Sequence, residues 1–227
     1  EAKARYIKRA KEQIVKLMAG DIVHKGILDW SGLYAIEEEK KLFKDKYARS
    51  WMQIWDSAGK DATRSVFQKA RKDQGDYTYS STGGSEDFLD QAADQVVRAR
   101  AKNVAKVVQA GLTQGLSTGE IASNISSIGL FGPSSARAIA RTEATRVMNR
   151  AAIDAYNQVA EVGIKVKKQW LTAGDENVRI SHQAMDGQAV GPNDMFENEY
   201  GTTFGPAEWG DAGEDVNCRC TVVPVIE

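Results

Sequence analysis

Beyond Gly163 the chain has too few apolar residues to build a core of its own. Up to that point it is rich in Ala, Glu and Lys, with apolar side chains at helical spacing; after it, Gly, Asp and Asn dominate. A segment of the second kind orders only by packing on what precedes it, or by being pinned through a polar site, because ordering each residue costs conformational entropy. Residues 164–171 alternate apolar and polar as a half-buried strand does, and shorter strand candidates follow at Gln188–Val190 and Cys220–Val225. The expected fold class is mainly α (α+β). A helical N-terminal and middle part leads to a small C-terminal strand-and-loop cap packed on the last long helix.

The helices are read from spacing. Tyr6, Ile7, Ala10, Ile14, Leu17 and Met18 predict one over residues 1–19, punctuated by Gly20, Gly26 and Trp30-Ser31-Gly32. A long helix is expected from Leu33 to Lys69 or Lys72, with a break near Gly59; Trp51 and Trp55 share its apolar stripe and are read as packing residues. The Tyr-, Ser- and Gly-rich stretch Gln74–Gly84 reads as a loop and as the best internal boundary. Ser85 caps a helix over Glu86–Gln109, and Ser117-Thr-Gly-Glu120 is a capping box that starts a short helix to Ser127. After a turn at Gly129–Pro133, the last long helix runs from Ser134 or Ser135 to Val162.

At 227 residues, 42% of them hydrophobic and 27% charged, the chain suits one large or two small domains and can build a core. No run of eighteen apolar residues exists, so no membrane span is expected. The start, Glu1-Ala-Lys-Ala-Arg, has neither Met nor a hydrophobic signal core, so the chain is expected to be a piece of a longer protein. Net charge is −1 but unevenly spread. Eight Arg and Lys face two Glu between Arg98 and Arg150, whereas twelve acids face five bases from Glu161 to Glu227. Such an imbalance fits intramolecular complementarity, a surface that meets nucleic acid or an acidic partner, or plain solvation.

On the last long helix, Ala140, Ala144, Val147, Met148, Ala151, Ala152, Ala155 and Val159 fall on one side and invite a close neighbour. Opposite lies a polar arc of Thr142, Glu143, Arg146, Asn149 and Arg150. Two readings stay open: a solvated face, or a platform on which the tail docks. Arg137 and Arg141 sit at the apolar rim, where each guanidinium needs a carboxylate or carbonyl partner.

The tail holds both cysteines, spaced C-x-C at Cys218 and Cys220, and one of the two histidines, His182. A disulfide between residues two apart would be strained, so the thiols are expected reduced, as in a cytosolic protein. Three readings follow. His182, Cys218, Cys220 and Asp175 could supply four ligands to a structural zinc ion, although C-x-C wraps a metal less readily than C-x-x-C. Alternatively His182 is a hydrogen-bonded core residue and the cysteines are small buried hydrophobes. An enzymatic version uses His182 as base, a cysteine as nucleophile and Asp186 or Asp175 as orienter. No glycine-rich phosphate loop or H-E-x-x-H helix accompanies it.

These pieces, in order, resemble one known pattern. They are Gly115-Leu-Ser-Thr-Gly-Glu-Ile-Ala, then Ala136-Arg-Ala-Ile-Ala-Arg-Thr-Glu-Ala-Thr-Arg-Val-Met-Asn-Arg-Ala, then Lys168-Gln-Trp170-Leu and Asp175. Val178-Arg179, Ser181-His182, Asp186-Gly187-Gln188, Phe196 and Asn217-Cys-Arg-Cys220 complete the series. Together they resemble the phage Mu F-like head-morphogenesis domain of minor head proteins, from about Ala110 to the C-terminus. The division expected is a helical region at 1–80 and a head-morphogenesis domain at 81–227, helical to about 162 and then a small α/β cap. The resemblance implies a low-copy protein of a tailed-phage or prophage head. It would lie in the virion at the capsid interior or portal vertex, and in the host cytoplasm during assembly. Portal, capsid and scaffold proteins are the implied partners, with packaged DNA a further one, and related domains occur fused to toxins or enzymes. No catalytic role carries over; Arg137, Arg141, Glu143, Trp170, Asp175, Arg179, His182, Asp186, Asn217, Cys218, Arg219 and Cys220 stand as candidates for a structural site. The rival functions are a metal-dependent hydrolase, nuclease or phage-delivered effector using the His/Cys cluster, and a nucleic-acid module using Arg98–Arg150.

Overall fold

A computed structural model describes residues 1–18, 35–81, 84–127, 129 and 132–227. The expected punctuation at Gly20, Gly26 and Trp30–Gly32, the helix start at Leu33, Gly83 of the loop and Leu130-Phe131 of the turn lie outside these residues, as do the side chains of Ile14, Leu17 and Met18. Among the described residues five helices come first: α1 (Ala2–Met18), α2 (Ile36–Ala70), α3 (Gly84–Thr113), α4 (Thr118–Ser127) and α5 (Pro133–Glu161). The remainder is β1 (Val166–Leu171), α6 (Ile180–Gln183), β2 (Ala189–Val190), β3 (Phe196–Asn198), β4 (Gly201–Thr203), α7 (Ala212–Asp215) and β5 (Thr221–Ile226). The class is mainly α, with a small α+β region at the C-terminal end.

The chain packs as two units, residues 1–46 with 90–137 and residues 47–89 with 138–227, each drawing on both sides of residue 80. In the first, Tyr6 and Ala10 of α1 share a core with Ala101, Val104 and Val108 of α3 and Ile121 and Ile125 of α4. Glu39, buried in the first turns of α2, accepts hydrogen bonds from Arg5 Nε at 2.7 Å and Arg9 Nη1 at 2.8 Å. Burial pushes its carboxyl up, but the two guanidiniums prevail and hold it below the usual range. The capping box forms as read. Ser117 N donates to Glu120 Oε2 at 2.7 Å, and Glu120 N donates to Ser117 Oγ at 3.3 Å.

In the second unit, β1 is the centre of a three-stranded antiparallel sheet of order β2-β1-β5, with Trp170 opposite Val222 and Lys168 opposite Pro224. Pro224 cannot donate to a ladder, which suits the edge position of β5. β3 and β4 pair separately, Phe196 opposite Thr203. Val166, Lys168 and Trp170 point inward, and Val166 and Trp170 join one core with Val147, Ala151, Ala155 and Val159 of α5. The α2 and loop residues Trp55, Val66, Phe67 and Tyr79 belong to it too.

Three expectations are corrected here. α2 does not break at Gly59, because that glycine lies against the Tyr79 ring: a Cβ there would stand 2.1 Å from a ring carbon. The loop before α3 is not merely a boundary. Its Tyr79 is buried, accepts a hydrogen bond from Trp55 Nε1 at 2.6 Å and donates one to Asp154 Oδ2 at 2.7 Å. On α5, Met148 was placed on the inward face but is 53% exposed, while Thr142, Glu143, Arg146 and Asn149 are buried. The polar arc is therefore no solvated face. It is the side on which the C-terminal segment docks.

Candidate functional site

Thr142, Thr145 and Asn149 follow one another at i, i+3 and i+7, so they form a stripe along α5. Each takes a backbone group of the cysteine segment. Asn217 N donates to Thr142 Oγ1 at 2.9 Å, and Thr145 Oγ1 donates to Cys218 O at 3.1 Å. Asn149 acts like a strand neighbour: its Nδ2 donates to Cys220 O at 3.2 Å and its Oδ1 accepts from Val222 N at 2.8 Å. Asn217 has a φ of +60°, a left-handed conformation in which Asn is among the best tolerated residues other than Gly. That turn, with the α5 stripe, puts both sulfurs inward and Arg219 outward.

The sulfurs meet His182, supplied by α6. Its Nδ1 lies 3.7 Å from Cys218 Sγ and 3.4 Å from Cys220 Sγ, and all three residues are at most 3% exposed. Both cysteines are free thiols. On the far side of the ring, Nε2 stands 3.1 Å from Glu214 Oε2, close but without hydrogen-bond alignment. Ser181 Oγ donates to the same Glu214 oxygen at 2.6 Å. The imidazole stacks parallel to Trp209 at 5.8 Å and meets the edge of Trp170 at 5.5 Å; Trp170 in turn packs edge-on against Phe196 at 5.2 Å. The two thiols polarise one another. The neighbouring Cys220 and then His182 hold the Cys218 thiol below its ordinary range against burial, whereas the Cys218 partnership and burial push Cys220 up.

Beside this cluster is a buried charge network. Arg146 Nε donates to Ala207 O at 2.6 Å, and its Nη1 lies 3.1 Å from Glu143 and its Nη2 3.6 Å from Asp215. Asp215 also accepts from Trp209 N at 2.8 Å and Gly210 N at 3.0 Å, which fixes the turn that carries Trp209. Burial, with Asp215 nearby, pushes the Glu143 carboxyl up to about 7 although Arg146 opposes it. Lys168, wholly buried on β1, donates to Phe204 O at 2.8 Å and sits 3.6 Å from the Phe204 ring centre; Arg150 lies 4.1 Å from the same centre. Burial lowers the Lys168 ammonium to about 8.

Most of the candidates fall into three places. His182, Cys218, Cys220 and Trp170 come together in the cluster, and Glu143 joins the charge network next to it. Arg141, Arg179, Asn217 and Arg219 line an open surface cleft with Asn177. There Arg141 Nη1 donates to Asn217 Oδ1 at 3.2 Å and Arg179 Nη2 to Val216 O at 2.7 Å. Asp175 does not join the cysteines: it is exposed and paired with Arg219, Nη2 to Oδ1 at 2.6 Å. Asp186 is exposed as well, accepting from Thr172 N at 2.7 Å at the end of β1. Neither aspartate orients His182, so the catalytic arrangement written with them is not assembled; Glu214 holds that position. Arg137 is exposed and belongs to the first unit, whereas Arg141 has the carbonyl partner expected of it in the Asn217 side-chain amide. Thr145, Trp209, Glu214 and Asp215 were missed. The signal available was the acidic pair Glu214-Asp215 just ahead of Asn217-Cys218, in a segment otherwise short of packing residues.

A family model described as phage Mu protein F like protein matches residues 102–223, a span that contains α5, the cluster and both β1 and β2. Over 127 residues the chain is 38% identical to a protein named NAD(+)--arginine ADP-ribosyltransferase EFV of Enterococcus faecalis, covering 56% of this chain and 26% of that protein. It is 29% identical over 126 residues to the minor head protein GP7 of Bacillus phage SPP1, covering 55% of this chain and 41% of that one. An uncharacterized protein of Haemophilus influenzae is 33% identical over 124 residues, 55% of this chain and 25% of its own. The matches thus span 25% to 41% of the length of these relatives. No solved structure matches the chain.

Proposed function

Because this chain belongs to the phage Mu protein F-like family, we propose that it serves as a minor head protein of a phage or prophage. In this reading it acts in capsid or procapsid assembly, contacts the portal and the capsid or scaffold proteins, and lies near packaged DNA inside the particle. The likeness to the SPP1 minor head protein carries the reading. The architecture supports it: a polar, hydrogen-bonded cap set on a helix makes a rigid unit suited to protein contacts, and its most reactive groups face inward. The test is direct. Particles purified from the phage that encodes the chain are expected to contain its peptides by mass spectrometry, far below the major capsid protein in amount, and the chain is expected to co-elute with the portal oligomer. Particles without it, and a chain that elutes apart from portal, capsid and scaffold alike, would overturn the proposal.

A second reading draws on the likeness to the E. faecalis protein named as an ADP-ribosyltransferase: the chain as the head-borne part of a delivered effector. A thiol nucleophile needs an accessible, activated sulfur, and both sulfurs here are buried. In this reading catalysis belongs to sequence outside the matched span. Cleavage of NAD+ by the chain itself would favour a catalytic role over the head-protein reading.

A further inference from the structure

We propose that His182, Cys218 and Cys220 hold a zinc ion, which locks the cap. The inference stands apart from the head-protein reading, since it concerns only the chemistry of these side chains.

Distance comes first. The three donor atoms all lie within 4.8 Å of one another, the one such group of His, Cys and acidic side chains among the described residues with all members buried. Zinc–sulfur bonds of ~2.3 Å and zinc–nitrogen bonds of ~2.0–2.1 Å at a tetrahedral angle put the donors ~3.6 Å apart. The observed separations from His182 Nδ1, 3.4 and 3.7 Å, straddle that value. A pair of thiols hydrogen-bonded to an imidazole could also sit at such distances, so distance alone does not decide.

The far side of the ring does. A zinc-bound histidine commonly gives its other N–H to a carboxylate, which fixes the tautomer and the ring orientation. Here Nε2 is buried, lacks a well-aligned partner, and stands 3.1 Å from a carboxylate that Ser181 Oγ anchors at 2.6 Å. That carboxylate is the group an Nε2–H would face in the tautomer that leaves the Nδ1 lone pair to the sulfurs. The donors are also held in advance: Thr145 and Asn149 bind the carbonyls of Cys218 and Cys220, and two indoles confine the imidazole. Such preorganisation orients three soft or borderline donors at one point. Finally, the segment's apolar residues go into a core shared with α5 rather than one of its own, and a buried metal adds folding free energy to it. On binding, both thiols lose their protons to solvent, imidazole nitrogen enters as a neutral donor, and no redox change occurs.

Metal content decides the matter. The full chain, purified under reducing conditions without chelator, is expected to contain one zinc per molecule by plasma mass spectrometry. Cobalt added to chelated protein is expected to give thiolate charge-transfer absorption and tetrahedral d–d bands. H182A could fail to fold, so H182C serves as the second variant: it keeps a thiolate donor at the position and is expected to retain cobalt with stronger charge transfer. C218S/C220S is expected to lose both metals. A reduced, folded wild-type chain that contains no zinc and takes up neither zinc nor cobalt at micromolar concentration would overturn the proposal. So would a metal content unchanged in C218S/C220S, which would place the ion elsewhere.

Discussion

Asn149 is one amide doing what a neighbouring strand does elsewhere. Replacing it with Ala leaves Val222 N–H and Cys220 C=O buried without partners, and each such group costs ~1–3 kcal/mol. N149A is therefore expected to destabilise the protein by about 2–4 kcal/mol in urea unfolding, while M148A, one residue away but exposed, stays within about 0.5 kcal/mol of wild type. Glu143 makes a second residue-scale prediction. Its folded pKa is raised from 4.5 to about 7, so between those values the folded state keeps a proton that the unfolded chain has released. Its contribution is fully present below pH 4.5 and is lost as pH rises through 7. The sensitivity amounts to at most about 3.5 kcal/mol at ~1.4 kcal/mol per unit. E143Q, uncharged throughout, is expected to flatten the fall of Tm with pH across this window; an unaltered slope would show that Glu143 does not carry it. Residue identity left this arc open between a solvated face and a docking platform. A Glu three residues before an Arg reads as an ordinary surface helix pair, and its burial depends on Ala207, Trp209 and Asp215, which are some sixty to seventy positions further along the chain.

Among the elements, the helices were readable because they obey local rules: apolar spacing gave α1 to α5, and Ser117 with Glu120 marked the start of α4. Three strands were readable too, β1 by its alternation and β2 and β5 as short candidates, whereas β3 and β4 carried no such signal. What spacing could not reveal is which side of α5 faces inward. Small apolar residues suggested one face, but the docked segment offers unpaired backbone groups rather than hydrophobic bulk, so the hydroxyls and amides of α5 were drawn in alongside Val147 and Ala151. Gly59 was misread for a related reason. A glycine within a helix costs ~1 kcal/mol relative to Ala, which reads as a break until Tyr79 is seen against it. Two effects therefore compete in G59A. Propensity favours the variant by about 1 kcal/mol, and the clash with a buried ring opposes it by ~1–3 kcal/mol. The net expectation is a lower Tm, together with loss of the hydrogen bonds that Tyr79 makes to Trp55 and Asp154. A stabilised G59A would show that Tyr79 can leave at little cost.

For the whole molecule, the uneven charge seen in the sequence is partly resolved internally. Within the basic stretch, Arg98 pairs with Asp94, Arg146 with Glu143 and Asp215, and Arg150 with Glu208. Arg141 is engaged by Asn217. Charge complementarity within the chain thus engages three of the eight cations, and an amide oxygen a fourth. DNA binding by the isolated chain is expected to fall with salt along a slope equivalent to about four phosphates at most. A slope near eight would restore the nucleic-acid module as a reading. The cap's cohesion was foreseeable from its poverty in apolar residues, but the partners holding it were not: Glu214 and Trp209 are brought to His182 by turns whose geometry no spacing rule describes.

The parallel stacking of Trp209 on His182, with Trp170 edge-on to the same ring, gives this cluster a built-in optical probe. Thiolate and imidazolium both quench indole emission, so ion uptake, proton transfer or oxidation at the sulfurs should be visible in intrinsic fluorescence with no label attached.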